Sequence, residues 1–571
     1  MFRSFTKLGA HAHTIAYLAD GFQDPYQVEM LQGLTETAQS GGANLLCFVG
    51  GPLPREPQRS DGRHAVYALA TSSVCDGFVI SGTGLNHEVG TAGLLEFSQR
   101  MGKAPMCTVG VHAPGVLTVN PDNERGMERI VTHLIEAHDA KRIALVRGPR
   151  QNDEAEARER AFRAAHRRHR LAVDESLILE GDFSFESGAA AVARLAAELG
   201  SALRELDAIV ASNDRMAIGV MSALSARGIS VPGEIAVTGF DDIEEAELTH
   251  PPLTTARQGM PRLGQEALRV VLEEIQLGTK RASQVLDVEM VLRRSCGCSG
   301  LSSSPDPLHA PGFDHLGGGL LFHRERIHLE LTRVSRGTLG AAGRGWEQRL
   351  FAAMADALQQ SDDTVFLKTL QALAERLLPG SSELNRLDEV VQALRQQLVP
   401  LFGESNKAAR ERLEASIHAA RSLLFEMSQR ALHNDRIGRL RWNRNLATIC
   451  NSLSCAVGAD ELEAAIRANL PLLGIRSAFV ALYDEGDPQQ AQLACAFDAD
   501  SDLSQFRGQV FPRSALLPQA LSNTGSRGRS YTVQALVGRG QRLGHLLLEL
   551  DIGSLPVTNA LAAAITGGLQ R

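Results

Sequence analysis

Apolar positions in the first half of the chain follow two alternating spacings. Short aliphatic and β-branched runs predict strands at His13–Leu18, Ala43–Phe48, Gly77–Ile80, Met106–Val109, Arg142–Val146, Ala208–Ala211 and Ile235–Thr238. Amphipathic stretches between them predict helices at Tyr26–Ser40, Asn123–Ala137, Glu154–His169, Phe185–Leu199 and Asp214–Ala226. Strands separated by helices of this length indicate βαβ units and a parallel sheet with right-handed crossovers. Ligands of such sheets lie at the carboxyl ends of the strands.

The pattern changes after Leu301, where the segment SGLSSSPDPLHAPG is rich in Ser and Pro and is typical of a linker. Helical spacing dominates the residues that follow, and mixed α/β patterning returns after residue 460. We therefore expect an α/β domain at 13–298, a linker at 299–319, a helical region at 320–404, a connecting helix at 405–454 and a small α+β region at 455–571.

The connecting helix carries an apolar seam with alternating spacings of four and three residues. Its members are Leu413, Ile417, Ala420, Leu424, Met427 and Ala431. This is the spacing of the a and d positions of a coiled coil, which would join two copies of the chain. The run covers fewer than three heptads, so one face of a helical bundle fits the same pattern.

Composition narrows the classes of protein. A chain of 571 residues predicts several domains, and a net charge of −8 gives no global attraction to nucleic acid. The sequence contains neither a signal peptide nor about 18 consecutive apolar residues, which predicts a cytoplasmic protein without a membrane span. Walker A, HExxH, GxSxG and GxGxxG motifs are absent from the sequence, so we expect no enzymatic activity and no cofactor.

Eight cysteines are scattered along the chain, as in a reducing compartment. The one close pair is Cys296-Gly-Cys298, at the end of the α/β domain. A metal site there would need further ligands, and CxC lacks the CxxC spacing of zinc ribbons. We therefore expect no metal and interpret the pair as a structural strand end.

Three motifs between Ser212 and Gln258 point to a ligand pocket. They are SND, VPGEIAVTGFDD and PPLTTARQ, which contain Asn213, Asp241 and Gln258 at predicted strand ends. Their order and spacing resemble the effector-binding domain of the lactose-repressor (LacI) family. The resemblance covers about half of the chain and implies a two-lobed domain of the type I periplasmic-binding-protein fold with parallel sheets.

The resemblance also implies a set of pocket positions from strand ends of both lobes. Matching the motifs assigns Phe22, Asp24, Pro25, Ser81, Asp122, Glu154, Arg158, Phe183, Asn213, Asp241 and Gln258 to ligand binding. In the family's sugar binders, an arginine at the position of Arg158 makes a forked hydrogen bond to two vicinal hydroxyl groups. An aromatic residue at the position of Phe183 stacks on the face of the sugar. Ala161 stands where glycine is usual in the family's pattern.

The residue types suit a small polyol, which needs carboxylates, amides, a guanidinium and an apolar platform. Glu154 replaces the smaller residue common in sugar binders and, with Asp24, makes the pocket acidic, which favours an amine-bearing or purine-like ligand. Structural alternatives stay open: Asp241 or Asn213 could cap a helix, Phe183 could pack a loop, and Arg158 could be solvated.

Residues 460–571 are predicted as helix, strands and closing helix, an order that resembles a GAF-type sensory domain. Together the patterns predict a homodimeric sensor in which a sugar- or purine-like effector closes the two lobes and a downstream signalling protein receives the signal. Only 12 residues precede the first strand, too few for the family's DNA-binding headpiece, so direct DNA binding is expected to be absent. The alternatives are a LacI-type transcriptional regulator and the remnant of a sensor kinase or diguanylate cyclase.

Overall fold

A computed structural model describes most of the chain. It covers all residues except 1–12, 23–24, 57–59, 112–114, 151, 279–281, 299–322, 336–344, 361, 378–380, 403–406, 485, 488, 523–528, 551–554, 556 and 571. The described residues form two compact units, one of 1–302 with 445–571 and the other of 303–444. The predicted linker at 299–319 lies outside the described residues.

The first lobe of the α/β domain is built on parallel strands. They are β1 (Thr14–Ala19), β2 (Asn44–Val49), β3 (Gly77–Ser81), β4 (Met106–Val109), β5 (Leu117–Pro121) and β11 (Gln284–Leu286). Its helices are α1 (Pro25–Ser40), α2 (Gly82–Leu85), α3 (Gly90–Gln99) and α9 (Met260–Leu277). All six residues of β1 are buried, as expected for a central parallel strand covered on both faces.

The second lobe repeats this architecture with a parallel sheet in the order β7-β6-β8-β9. Its strands are β6 (Ile143–Arg147), β7 (Ile178–Glu180), β8 (Ala208–Ala211) and β9 (Ala236–Thr238). Its helices are α4 (Asn123–His138), α5 (Asp153–Arg168), α6 (Phe185–Leu199), α7 (Asp214–Ser225) and α8 (Glu244–Leu248). The short strands β10 (Thr255–Arg257) and β12 (Glu289–Val291) pair antiparallel beside this sheet. The predicted two-lobed α/β class with parallel sheets is confirmed.

The chain passes between the lobes three times, between β5 and α4, between β10 and α9, and between β11 and β12. Residues near these crossings, such as Asn123 and Gln258, therefore lie at the junction of the lobes. The seven strands and five helices predicted in this half of the chain all occur, and their ends differ by one residue at most.

The C-terminal region continues the sheet of the first lobe. It contains α15 (Gly458–Asn469), β13 (Ser477–Tyr483), β14 (Gln490–Asp498), β15 (Val510–Pro512), α16 (Gln519–Ser522), β16 (Ser530–Gly538), β17 (Gln541–Glu549) and α17 (Thr558–Leu569). Strand β16 pairs parallel with β2, with Ser530 opposite Leu45 and Val533 opposite Phe48. The result is one sheet of 11 strands in the order β11-β5-β4-β3-β1-β2-β16-β17-β13-β14-β15.

The sequence predicts a separate small domain at 455–571, and the shared sheet departs from that prediction. The physical reason is that β2 and β16 each offer an unpaired strand edge and a buried apolar face. Phe48 of β2 and Val533 of β16 belong to the same hydrophobic core. Local periodicity predicts each strand but does not specify its partner across almost 500 residues of sequence.

The second unit is helical. It contains α10 (Arg324–Ser335), α11 (Trp346–Gln360), α12 (Thr364–Leu377), α13 (Ser381–Leu398) and most of α14 (Lys407–Cys455). Helix α14 is continuous, and its seam residues Leu413, Ile417 and Leu424 are buried in a core with Leu350 and Leu394 of the same chain. The seam is therefore one face of an intramolecular bundle, which is the second of the two alternatives. Within the described residues, every helix is too short or too polar to cross a membrane.

The crossing of α1 and α9 provides a test of the first lobe. Gly33 and Gly264 let these helices approach closely, and a Cβ on Gly264 would lie 2.2 Å from the carbonyl oxygen of Met30. We expect Gly264→Ala to destabilise the fold by about 1–3 kcal/mol through overpacking. The measurement is the melting temperature, which should fall by about 2–4 °C for each kcal/mol.

Gly567→Ala in α17 is the matched control, because the nearest atom to its Cβ is the Ser454 hydroxyl oxygen at 3.7 Å. This variant should melt at or slightly above the parent temperature, since alanine favours a helix by about 1 kcal/mol over glycine. Equal melting temperatures for the two variants would contradict the described helix crossing.

Candidate functional site

Arg158 is the centre of a polar cluster at the lobe junction. It lies on α5, and its side chain is only 2% exposed. Its Nε donates to Asn123 Oδ1 at 2.8 Å, and its Nη1 donates to the carbonyl of Ser212 at 2.6 Å. The guanidinium also lies over the ring of Phe240, 3.9 Å from the centroid. Arg158 is thus a fixed, buried cation, not a solvated surface residue.

Two carboxylates face this cation from different elements. Glu154, one turn earlier on α5, places Oε1 3.9 Å from Arg158 Nη2. Asp241, in the loop after β9, places Oδ1 3.6 Å from Arg158 Nη1. Burial raises the pKa of Glu154, while Arg158 and the Asn123 amide oppose that rise. The cluster thus places two carboxylates, Glu154 and Asp241, beside one guanidinium.

Gln258 joins the cluster from the segment between β10 and α9, where the chain passes between the lobes for the second time. Its Nε2 donates to Asp241 Oδ1 at 2.5 Å, and its side chain is almost wholly buried. Its Oε1 is buried and has no hydrogen-bond donor among the residues that the structure describes. A buried acceptor without a partner costs about 1–3 kcal/mol, so this oxygen is suited to a donor group of a ligand.

The loop that carries Asp241 is held by a second layer of charges. Asp241 and Asp242 both adopt positive φ, at 119° and 63°, a conformation rare for non-glycine residues. Asp242 pairs with Arg257 Nε at 2.5 Å and with Arg293 Nη2 at 2.7 Å. These ion pairs compensate for the backbone strain and fix the Asp241 carboxylate at the mouth of the sheet.

The first lobe contributes Tyr26, in the first turn of α1. Its hydroxyl oxygen is buried and lies near Glu154, Asp241 and Thr83. Burial raises the pKa of Tyr26 far above its usual range, and the negative charge of Glu154 raises it further. Because α1 belongs to one lobe and α5 to the other, the position of Tyr26 near Glu154 shows that the lobes are close together at this point. Thr91 on α3 bridges the same gap to Asp153, with Oγ1 3.3 Å from Oδ2.

Four residues assigned from the sequence come together in this cluster: Glu154, Arg158, Asp241 and Gln258. Phe22 and Ser81 are buried near Tyr17 in the first lobe, where the Phe22 ring stacks with centroids 6.4 Å apart. Pro25 begins α1, and Asp24 lies outside the described residues.

Three further assigned residues have local structural partners. Asp122 caps α4 by accepting from the Arg125 amide at 3.0 Å. Asn213 caps α7 through the Met216 amide at 3.0 Å and donates to the Phe183 carbonyl at 3.1 Å. Phe183 has a φ of 69°, and its ring lies directly over Gly148. For Asn213 and Phe183 these contacts agree with the alternatives of helix cap and loop packing.

Asn123 and Tyr26 were missed by the sequence assignment. Asn123 follows Asp122 directly, and the helix boundary decides which of the two caps the helix and which points to Arg158. Tyr26 directly follows Pro25, the last loop residue that the resemblance assigns to ligand binding. In both cases the motif identifies the correct segment. Which side chain of that segment points into the cluster can be known only from the fold.

A cavity of about 620 Å³ lies elsewhere in the second lobe. Its lining includes Met221, His250, Arg294 and Cys298, and none of the residues assigned to the pocket. The polar cluster at the lobe junction is therefore a separate place in the molecule.

Comparisons with known proteins support the resemblance for the α/β half. A family model described as a periplasmic binding protein-like domain matches residues 131–296. The HTH-type transcriptional repressor CytR of Escherichia coli K12 is 27% identical over 289 residues, which cover 50% of this chain and 79% of that protein. PurR of Aliivibrio fischeri MJ11, also named an HTH-type transcriptional repressor, is 29% identical over 265 residues, 46% of this chain and 74% of that protein.

Among solved structures, the Escherichia coli transcriptional repressor ascG aligns with 25% identity and a TM-score of 0.41 over 50% of this chain and 99% of its own. This half of the chain is thus similar to the ligand-binding part of LacI-type transcriptional regulators. Both relatives are named HTH-type transcriptional repressors, so the expectation that direct DNA binding is absent is not supported. These matches cover about half of the chain, and the GAF-type resemblance stays a prediction.

Glu29 on α1 is a partly buried carboxyl group near charged residues of the second lobe, and we expect it to make stability depend on pH. Its pKa is raised from 4.5 to about 7, first by burial and then by Asp242, with Glu244 adding to the rise and Arg257 opposing it. A carboxyl with a raised pKa in the folded state stabilises the fold below its unfolded pKa, and this stabilisation is lost as pH rises through about 7. We expect Glu29→Gln to gain up to about 3 kcal/mol at pH 8 and little at pH 5.

The measurement is the melting temperature of parent and variant from pH 5 to pH 8. Glu96→Gln, at an exposed position of α3, is the control and should leave the pH profile unchanged. A Glu29→Gln profile parallel to that of the parent would show that the carboxyl is not buried at the junction.

Proposed function

We propose that this chain is a non-enzymatic transcriptional regulator of the LacI type, whose effector binds between the two lobes of residues 13–298. The observation that carries this proposal is the polar cluster of Asn123, Glu154, Arg158, Asp241 and Gln258 at the lobe junction. These side chains come from four separate segments and point to one place. The similarity to transcriptional repressors supports the regulatory role.

The chemistry of the cluster selects the class of effector. Glu154 and Asp241 accept hydrogen bonds, and Gln258 Oε1 is a buried acceptor. Arg158 uses Nε and Nη1 within the protein, which leaves Nη2 as the donor facing Glu154. A ligand rich in N–H and O–H donors with one or two acceptors matches this arrangement, whereas an anion would meet two carboxylates. Nucleosides and amino sugars have this character.

Effector binding would act by favouring the closed arrangement of the lobes. Tyr26 of the first lobe lies near Glu154 of the second, Thr91 Oγ1 lies 3.3 Å from Asp153 Oδ2, and separation of the lobes would end this proximity. A ligand that touches both sides shifts the population only by its preference for the closed state. The three crossings of the chain at the junction are the hinge in this mechanism.

A specific observation favours a second route for the signal, through the C-terminal region. Strand β16 pairs with β2 of the first lobe, so the strands of the C-terminal region share one sheet with that lobe. Lobe movement would then displace the C-terminal region as a body relative to the second lobe. In this candidate function the GAF-like region delivers the signal to a partner protein, and the regulator acts as a homodimer.

Effector binding is tested by calorimetry on the full chain with adenosine, cytidine, glucosamine and glucose. We expect an N–H-bearing ligand to bind, and Glu154→Gln and Asp241→Asn each to weaken it by about 10- to 100-fold, because each removes a charge-assisted hydrogen bond worth about 1.5–3 kcal/mol. Glu124→Gln, an exposed carboxyl in the first turn of α4, is the matched control and should bind as the parent does. Binding that survives both pocket substitutions would place the ligand elsewhere.

The regulatory role is tested by selection from a random duplex DNA library with the full chain, with and without the effector found above. A transcriptional regulator should enrich one sequence, with an affinity that falls steeply with salt and changes on effector addition. If effector binds and no sequence is enriched, the output is a protein partner and the second route is favoured.

A further inference from the structure

Four potential metal ligands converge at the end of the ligand-binding domain. His133 and His138 lie on α4, and Cys296 and Cys298 lie in the segment after β12. All four ligand atoms lie within 4.8 Å of one another. The distance between the two His Nε2 atoms is 3.2 Å. Those from His133 Nε2 to the sulfurs of Cys296 and Cys298 are 3.6 and 3.4 Å, and that from His138 Nε2 to Cys298 is 3.5 Å.

Four of the six separations between these ligand atoms are close to the edges of a zinc tetrahedron. Zinc binds sulfur at about 2.3 Å and imidazole nitrogen at about 2.0–2.1 Å, which for tetrahedral angles places two nitrogens about 3.3 Å apart and nitrogen and sulfur about 3.5 Å apart. These four distances deviate from the tetrahedral values by about 0.1 Å.

The local backbone is built to bring these side chains together. Gly297 has a φ of 104°, and a Cβ there would lie 3.2 Å from His138 Cε1. A residue with a side chain would therefore be strained and would crowd the imidazole, so Cys-Gly-Cys allows both sulfurs to face α4. The Thr254 hydroxyl lies 3.1 Å from Cys296 Sγ, an outer contact of the kind that orients metal ligands.

We propose that His133, His138, Cys296 and Cys298 bind one structural zinc ion. Two thiolates and two imidazoles complete a tetrahedral shell, which leaves no open position and is typical of a structural site. Soft sulfur and borderline nitrogen donors select zinc over magnesium or calcium. The ion would tie the end of the ligand-binding domain to α4, immediately before the chain continues towards residues 303–444.

From the sequence alone, Cys296 and Cys298 are interpreted as a structural strand end, because a metal site needs further ligands. His133 and His138 precede them by about 160 residues, and only the fold places them beside the cysteines. Their H-x4-H spacing lies within the range familiar from structural zinc sites, but without nearby cysteines in sequence it does not by itself indicate a metal. His138 is the last residue of the helix, where the chain turns at Asp139 in the left-handed region.

The first experiment measures metal content and coordination in the full chain purified under reducing conditions. After incubation with zinc and removal of the excess, elemental analysis should find about one zinc ion per chain. Replacement by cobalt(II) should give the intense visible bands of a tetrahedral ion and thiolate charge transfer in the near ultraviolet. A weak octahedral spectrum, or a chain that binds no zinc in reductant, would overturn the proposal.

The second experiment assigns the ligands. Cys298→Ser combined with His138→Ala should reduce the zinc content to near zero, whereas Cys455→Ser combined with His87→Ala should keep it, since both control residues are exposed and outside the cluster. Zinc retained by the first variant would overturn the assignment. A disulfide between Cys296 and Cys298, detected by mass spectrometry in protein purified under reducing conditions, would also overturn the proposal. The cobalt spectrum of the parent keeps the test valid if the double variant fails to fold.

Discussion

Arg158 is a guanidinium with 2% of its side chain exposed, and such burial is tolerated only when acceptors and opposite charges surround it. This requirement organises the cleft. Asn123 reaches it from the start of α4, Ser212 from the end of β8, and Asp241 from the loop after β9. Each of these segments is a strand end or helix start of the second lobe, so the cation holds the mouth of that sheet in one arrangement. Loss of any of these acceptors would leave a buried N–H group of Arg158 without its hydrogen bond, which favours this one arrangement of the cleft.

The same logic of unsatisfied groups explains the sheet of 11 strands. The edge of β2 presents backbone N–H and C=O groups that must be paired, covered or solvated. Strand β16 pairs with that edge, and Tyr531 and Val533 pack into the core that contains Leu46 and Phe48. The C-terminal region is thus part of the first lobe in structural terms, although it lies at the other end of the sequence. A movement of the lobes is therefore also a movement of this region.

Much of the α/β half is predictable from local pattern, because period and turn residues decide strands and helices within a few residues of sequence. Glu154, Arg158, Asp241 and Gln258 were assigned from motifs and lie together in the structure. The local pattern does not predict the direction in which a side chain points or the distant residue with which it pairs. Asp122 and Asn123 are adjacent, yet one caps α4 and the other reaches Arg158. The pairing of β16 with β2, and of His133 with Cys298, depends on contacts between residues far apart in sequence.

Helix α4 connects the two sites described above. Its 16 residues span about 24 Å, with Asn123 at the cleft and His138 at the cysteine cluster. If a helix of this length moved as a rigid body, a shift of Asn123 would also displace His133 and His138. Coupling between the ends also requires that one end have two arrangements, since a rigid element alone transmits nothing. The lobe junction supplies them if Tyr26 engages Glu154 in the closed state only. A metal at the far end would then join Cys296 and Cys298 to any movement of α4, so the helix would link the cleft to the end of the ligand-binding domain.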